Sequence, residues 1–102
     1  MEKYLLLIVQ NKLKIKYMAI PTNITRNHII DVINQINNGR QIPKNRQSKG
    51  VTLRYNNAPY PVKLLISWGN EIANGQEFPS KAFVTQEAVR YLTALGFEIV
   101  NI

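Results

Sequence analysis

The sequence predicts an α+β fold, a small antiparallel sheet with about three helices in a single compact domain. Three observations lead there. Apolar residues recur at helical spacing in three separate segments, each closed by Asn-Gly or Leu-Gly. The stretch VTLRY alternates and is rich in β-branched residues, as a strand is. The apolar tail FEIVNI offers a second strand to pair with Val51–Tyr55. At 102 residues the chain is one domain, large enough to fold without covalent staples.

The elements follow in order. Over residues 1–17, Tyr4–Val9, a Gln10-Asn11 turn and then Leu13, Ile15 and Tyr17 alternating with Lys12, Lys14 and Lys16 read as a β-hairpin. Its lysines are read as edge-strand gatekeepers ahead of DNA contacts. Pro21 ends that strand, and Thr25 or Asn23 caps a helix carrying Ile29, Val32, Ile33 and Ile36, stopped at Asn38-Gly39. Residues 40–50, RQIPKNRQSKG, lack an apolar period and form a loop, expected to be mobile unless something anionic docks on it. Asn56-Asn57 makes a turn after the VTLRY strand. Pro61 takes a first helical position, where its missing N–H costs nothing. The helix it opens buries Leu64, Leu65, Trp68 and Ile72 and stops at Asn74-Gly75. PSKAF is a connector with room for one short helical turn. The last helix, TQEAVRYLTALG, has Thr85 as candidate cap, a stripe of Ala88, Leu92 and Leu95, and Gly96 past its end.

Charge is the most informative property of the composition. Thirteen Lys and Arg stand against six Asp and Glu, a net charge of +7. In so small a domain this is the electrostatic footprint of a nucleic-acid binder, with a merely basic soluble surface as the plain alternative. The excess is local, because Arg40, Lys44, Arg46, Lys49 and Arg54 follow one another without an acid between them. Arg26 adds a second oddity. A cation in a helix's first turn opposes the helix dipole, so an anionic ligand is a reasonable suspect there. The one histidine, His28, reads as an ordinary surface residue rather than a ligand.

Other chemistries are excluded by residue type. Cysteine is absent, which removes disulfides, thiolate chemistry and Cys-based zinc sites and fits a reducing cytoplasm. One histidine cannot build a His-rich zinc centre or an HNH-type nuclease site. No phosphate-binding glycine loop, dinucleotide fingerprint or nucleophile elbow occurs, and the acids are not paired for acid–base work. The apolar run Leu5 to Val9 is too short for a signal peptide or a membrane span. The expectation is a cytoplasmic binding domain, not an enzyme, with no cofactor and no metal.

Tyr60, Pro61 and Lys63 set a flat ring, a proline ring and a cation in front of an apolar helix. Taken alone, the stretch reads first as a turn into a helix with a core-facing side, and second as a small apolar surface beside positive charge. The ordered set ITRNHIIDVI, YNNAPYPVKLLISWGNEIANGQEF and FVTQEAVRYLTALGFEIV resembles a domain of modification-dependent, McrA-like restriction endonucleases, in which an HNH nuclease domain commonly follows. Its sulfur-binding members recognise phosphorothioate DNA. The resemblance covers roughly residues 24–100, and the hairpin over residues 1–20 stands outside it as an extension.

The resemblance implies double-stranded, modified DNA as partner and a nuclease domain or subunit beside it. It places a sulfur pocket on Tyr60, Pro61 and Leu64, with Thr25 and Arg26 at the neighbouring helix start and Arg26 reaching the backbone. It places base-edge contacts on Val84, Thr85 and Gln86. Arg46, Lys49 and Lys63 join these as phosphate contacts. Two departures matter. Leu64 stands where sulfur-binding members have a small residue, which implies a shallower cavity, and Val84-Thr85-Gln86 replaces a Gly-Gly loop. A reader of methylated bases or plain sequence on the same scaffold, and a basic protein-interaction domain, are the alternatives.

Overall fold

Asn56 and Asn57 hold left-handed backbone (φ 50° and 64°), the geometry that lets a two-residue turn follow the twist of a hairpin. The turn joins β1 (Val51–Tyr55) to β2 (Ala58–Tyr60), with Leu53 opposite Tyr60. The computed structural model describes residues 18–102, so the hairpin expected over residues 1–17 lies outside the described residues. The final strand, β3 (Glu98–Asn101), pairs with the other edge of β1, which places β1 in the centre of a sheet that is antiparallel and three-stranded among the described residues. The α+β class and the pairing of the closing strand with Val51–Tyr55 are both as the sequence predicts. β2 was not expected, since a three-residue strand ending in Tyr60 reads in sequence as the approach to a helix.

Three α-helices complete the fold among the described residues. In α1 (Arg26–Asn37) Thr25 is the cap. Its hydroxyl accepts from the His28 N–H at 3.2 Å, and the Thr25 N–H donates back to His28 Nδ1 at 2.9 Å. His28 thus performs the reciprocal capping task usually given to Glu or Gln. The second helix, α2 (Val62–Asn74), starts one residue later than expected. Pro61 is its cap in extended backbone, not its first helical residue, and the Pro61 carbonyl accepts from the Leu65 N–H at 3.1 Å. α2 ends on Gly75, whose φ of 90° is a left-handed stop. The third helix, α3 (Thr85–Ala94), also corrects its cap by one residue: Val84 precedes the helix and Thr85 opens it. The Glu87 carboxylate turns back to accept from the Val84 N–H at 2.9 Å.

α2 carries the core. Val62 and every residue from Leu64 to Asn70 are buried, including Ser67 and Gly69. Gly69 sits where α1 crosses, and a Cβ there would come within 2.9 Å of Ile29 Cδ1 and 3.1 Å of Ile24 Cγ2. The Ile29 and Ile24 side chains occupy that space, so a larger residue at position 69 would have to displace them.

The loop over residues 40–50 corrects the expectation of mobility, for its arginines tie it to α2. The Arg40 guanidinium lies 3.5 Å from the centroid of the Trp68 ring and donates to Glu71 at 2.9 Å and Gln35 at 2.7 Å. Arg46 donates to the Ser67 hydroxyl at 2.9 Å and to Glu77 at 3.1 Å from within a 3₁₀ turn, Lys44–Arg46. Ser48 donates to Thr52, which donates to the Tyr60 carbonyl at 3.0 Å.

Tyr91 fastens the segment before α1. Its hydroxyl donates towards the Pro21 and Ile24 carbonyls at 2.7 and 3.1 Å and accepts from the Ile24 N–H at 3.2 Å. Burial pushes the phenol above its ordinary pKa, and the bond to Ile24 acts the other way. Tyr91→Phe keeps the ring and orphans these backbone groups, so unfolding by denaturant is expected to show a loss of about 1–3 kcal/mol. An unchanged midpoint would mean that water replaces the hydroxyl without cost.

Candidate nucleic-acid interface

The starts of α2 and α3 open onto one cleft of ≈ 260 Å³. Its rim on one side is the tied-down loop, Asn45 to Lys49; Val51 begins the sheet beneath it; Pro61, Val62 and Lys63 come from the start of α2; Ser80 and Thr85 close the far side. Arg46, Lys49 and Lys63 therefore share one mostly polar concavity, with the half-buried Val51 and the buried Pro61 and Val62 at its base.

The polar geometry suits an anion. No side chain caps the start of α2. The first N–H groups of a helix have no partner inside it, and the helix dipole places partial positive charge there. Lys63 Nζ donates to the Ser80 carbonyl at 2.6 Å and stands 4.9 Å from the centroid of the Phe83 ring. Burial lowers the Lys63 pKa first, and the neighbouring Arg46 cation lowers it further, against a smaller opposing pull from Glu87. Two cations held within reach of each other are relieved by an anion between them.

The residues expected at the site divide into three groups. Arg46, Lys49, Pro61, Lys63 and Thr85 meet at the cleft. Gln86 is exposed on the first turn of α3, beside Thr85 but outside the lining, and Val84 is exposed before it. Thr25, Arg26, Tyr60 and Leu64 are elsewhere. Thr25 is a helix cap. Arg26 reaches 69 residues along the chain to donate to the Leu95 carbonyl at 3.0 Å, and its guanidinium lies 4.3 Å from the centroid of the Phe97 ring. A cation unfavourable for its own helix is thus favourable at the C-terminal end of α3.

Tyr60 and Leu64 belong to the core, at 4% and 0% exposure. The Tyr60 hydroxyl donates to Asn37 at 3.0 Å, and its ring is covered by the sheet and helices rather than offered to a ligand. The pairing with Leu53 places it there, and nothing in the Tyr-Pro motif itself announces that pairing.

The basic run between Arg40 and Arg54 is also less free than its sequence implies. Arg40 and Arg46 are matched by Glu71 and Glu77, each 31 residues downstream. Lys44, Lys49 and Arg54 are exposed. Charge spacing alone did not single out Asn45, Gln47, Ser48 and Ser80. For Asn45, Gln47 and Ser48 the signal is the unbroken polar stretch Asn45–Lys49, every residue of which lines the cleft, whereas Ser80 stands outside it.

Structural and ligand-facing cations separate by mutation. Arg46→Ala leaves the buried Ser67 hydroxyl without its donor and is expected to cost about 1–3 kcal/mol of stability. Lys49→Ala should stay within about 0.5 kcal/mol. Tyr60→Ala should cost about 3–5 kcal/mol, as a large aromatic removed from a core does. Chemical denaturation of the three variants checks the ranking, and a stable Tyr60→Ala protein would return the ring to the candidate surface. No family model, curated protein or solved structure matches the chain, so the chemistry of the cleft rests on its own residues.

Proposed function

We propose that the chain is a non-catalytic, cytoplasmic DNA-binding module that reads modified duplex DNA, with backbone phosphorothioate as the favoured mark. A restriction nuclease, fused or separate, is its partner. One observation carries this: Arg46, Lys49 and Lys63 converge with the starts of α2 and α3 on a mostly polar cleft. Helix starts and cations together are the ordinary means of holding a phosphate. Such contacts fix position and supply affinity without reading sequence.

The apolar residues at its base support the sulfur reading. Sulfur is larger, more polarizable and more weakly hydrated than the oxygen it replaces, so an aliphatic wall desolvates it at little cost. With Tyr60 and Leu64 in the core, the wall is the half-buried Val51 and the little that the buried Pro61 and Val62 expose. Burying a few tens of Å² against it is worth roughly 1 kcal/mol at about 25 cal/mol per Å². All three expected pocket residues, Tyr60, Pro61 and Leu64, are buried, which favours the second reading, in which methylated bases or plain sequence are read on this scaffold.

Anisotropy titrations against salt, with matched duplexes carrying or lacking a stereodefined phosphorothioate, test both. Affinity should fall log-linearly with salt, and Lys49→Ala and Lys63→Gln should each flatten the slope by about 1 on both duplexes. Pro61→Ala should narrow the preference for sulfur and leave the slope alone. Equal affinity for the two duplexes in the unaltered protein would sink the phosphorothioate reading. A flat salt response would sink DNA binding and favour a protein partner.

A further inference from the structure

The function proposed above leaves the outward side of α3 without a task. α3 is ten residues long, about 15 Å at 1.5 Å per residue. Ala88 and Leu92 face the core, while Gln86, Arg90 and Thr93 are exposed. At about 100° per residue, positions 86, 90 and 93 form one stripe roughly opposite Ala88. No acid lies on that stripe. Glu87, the only acid of α3, is turned back onto the Val84 N–H. Arg90 makes no ion pair among the described residues. The exposed Lys81 stands beside Ser80 at the rim of the cleft, so the positive surface continues from the cleft towards this helix.

From this we infer that α3 is a recognition helix, which lies in the major groove of duplex DNA with Gln86 and Arg90 on base edges while the cleft holds a flanking phosphate. The inference rests on the DNA-binding reading and adds Arg90 and the outward side of α3 to the base-edge contact at Gln86 that the resemblance implies. Three observations carry it. The helix start, at Thr85, opens on the cleft that Arg46, Lys49 and Lys63 line, which would anchor that end to the backbone. Recognition helices dock in that manner, with the residues of the first turns nearest the bases. The exposed stripe bears Gln and Arg four residues apart, the side chains that make paired hydrogen bonds to adenine and guanine respectively. An isolated helix about 10–12 Å across fits a major groove about 12 Å wide. The stripe is also free of structural duty, since its residues serve neither core nor cap.

Selection of bound duplexes from a randomised pool, followed by titration on the selected and a scrambled duplex, tests the inference. The unaltered chain is expected to prefer the selected duplex. Arg90→Ala and Gln86→Ala should each reduce that preference by about tenfold, and Arg90→Lys should restore only part of it, because an ammonium lacks the rigid planar fork of a guanidinium. The scrambled duplex should lose no more than about threefold, and both variants should unfold at the parental midpoint. A preference unchanged in both variants, or no base preference in the unaltered chain, overturns the recognition helix and leaves the cleft reading standing. No duplex binding by the unaltered chain overturns both.

Discussion

A helix buried around almost its whole girth is the constraint from which the rest of this domain follows. Between Leu64 and Asn70 α2 exposes no side chain, so every direction around it must be occupied by something else. α1 fills one side through the close approach at Gly69. The sheet and α3 fill others. What remains is closed by irregular chain, and irregular chain brings backbone polar groups that need partners. The polar residues of α2 supply them. The Ser67 carbonyl accepts from Phe78 N–H and its hydroxyl from Arg46, Asn70 donates to the Gln76 carbonyl, and Glu71 holds Arg40.

This arrangement explains why the cleft has its shape. The start of a helix whose body is buried must still emerge somewhere, and α2 emerges between the loop it has pinned and the start of α3. Arg46 stands at the junction. Its guanidinium is committed to Ser67 and Glu77, yet it remains close enough to Lys63 to disfavour a second positive charge there. The site thus joins one arginine committed to the framework with two lysines, of which Lys63 is partly desolvated and Lys49 is exposed.

The sequence made the local features legible and left the long-range ones hidden. Helix stops at Asn38-Gly39, Gly75 and Gly96 follow from backbone that glycine adopts easily, and φ values of 113°, 90° and 91° at the three glycines bear this out. Helix existence and the pairing of β3 with β1 were readable from periodicity. The fates of the arginines were not, because Arg26, Arg40 and Arg46 find partners 69, 31 and 31 residues away. A run of cations in sequence says nothing about acids that the fold will bring to it. Tyr60 illustrates the same limit from the apolar side. Its burial depends on an Asn-Asn turn that reverses the chain and sets it against Leu53. Of the expected site, the part carried by the helix starts and the polar loop converges, and the part that depended on Tyr60 and Leu64 does not.

The central claim is that the uncapped start of α2, with Lys63 beside it, receives the backbone of a nucleic acid. Backbone amide shifts in a ¹⁵N-labelled sample titrated with duplex DNA test it directly. The largest changes are expected at Val62, Lys63, Thr85 and the Asn45–Lys49 segment, with Arg26 and the residues of β3 little moved. Changes centred on β3 and Arg26, with Val62 and Lys63 silent, would contradict the account.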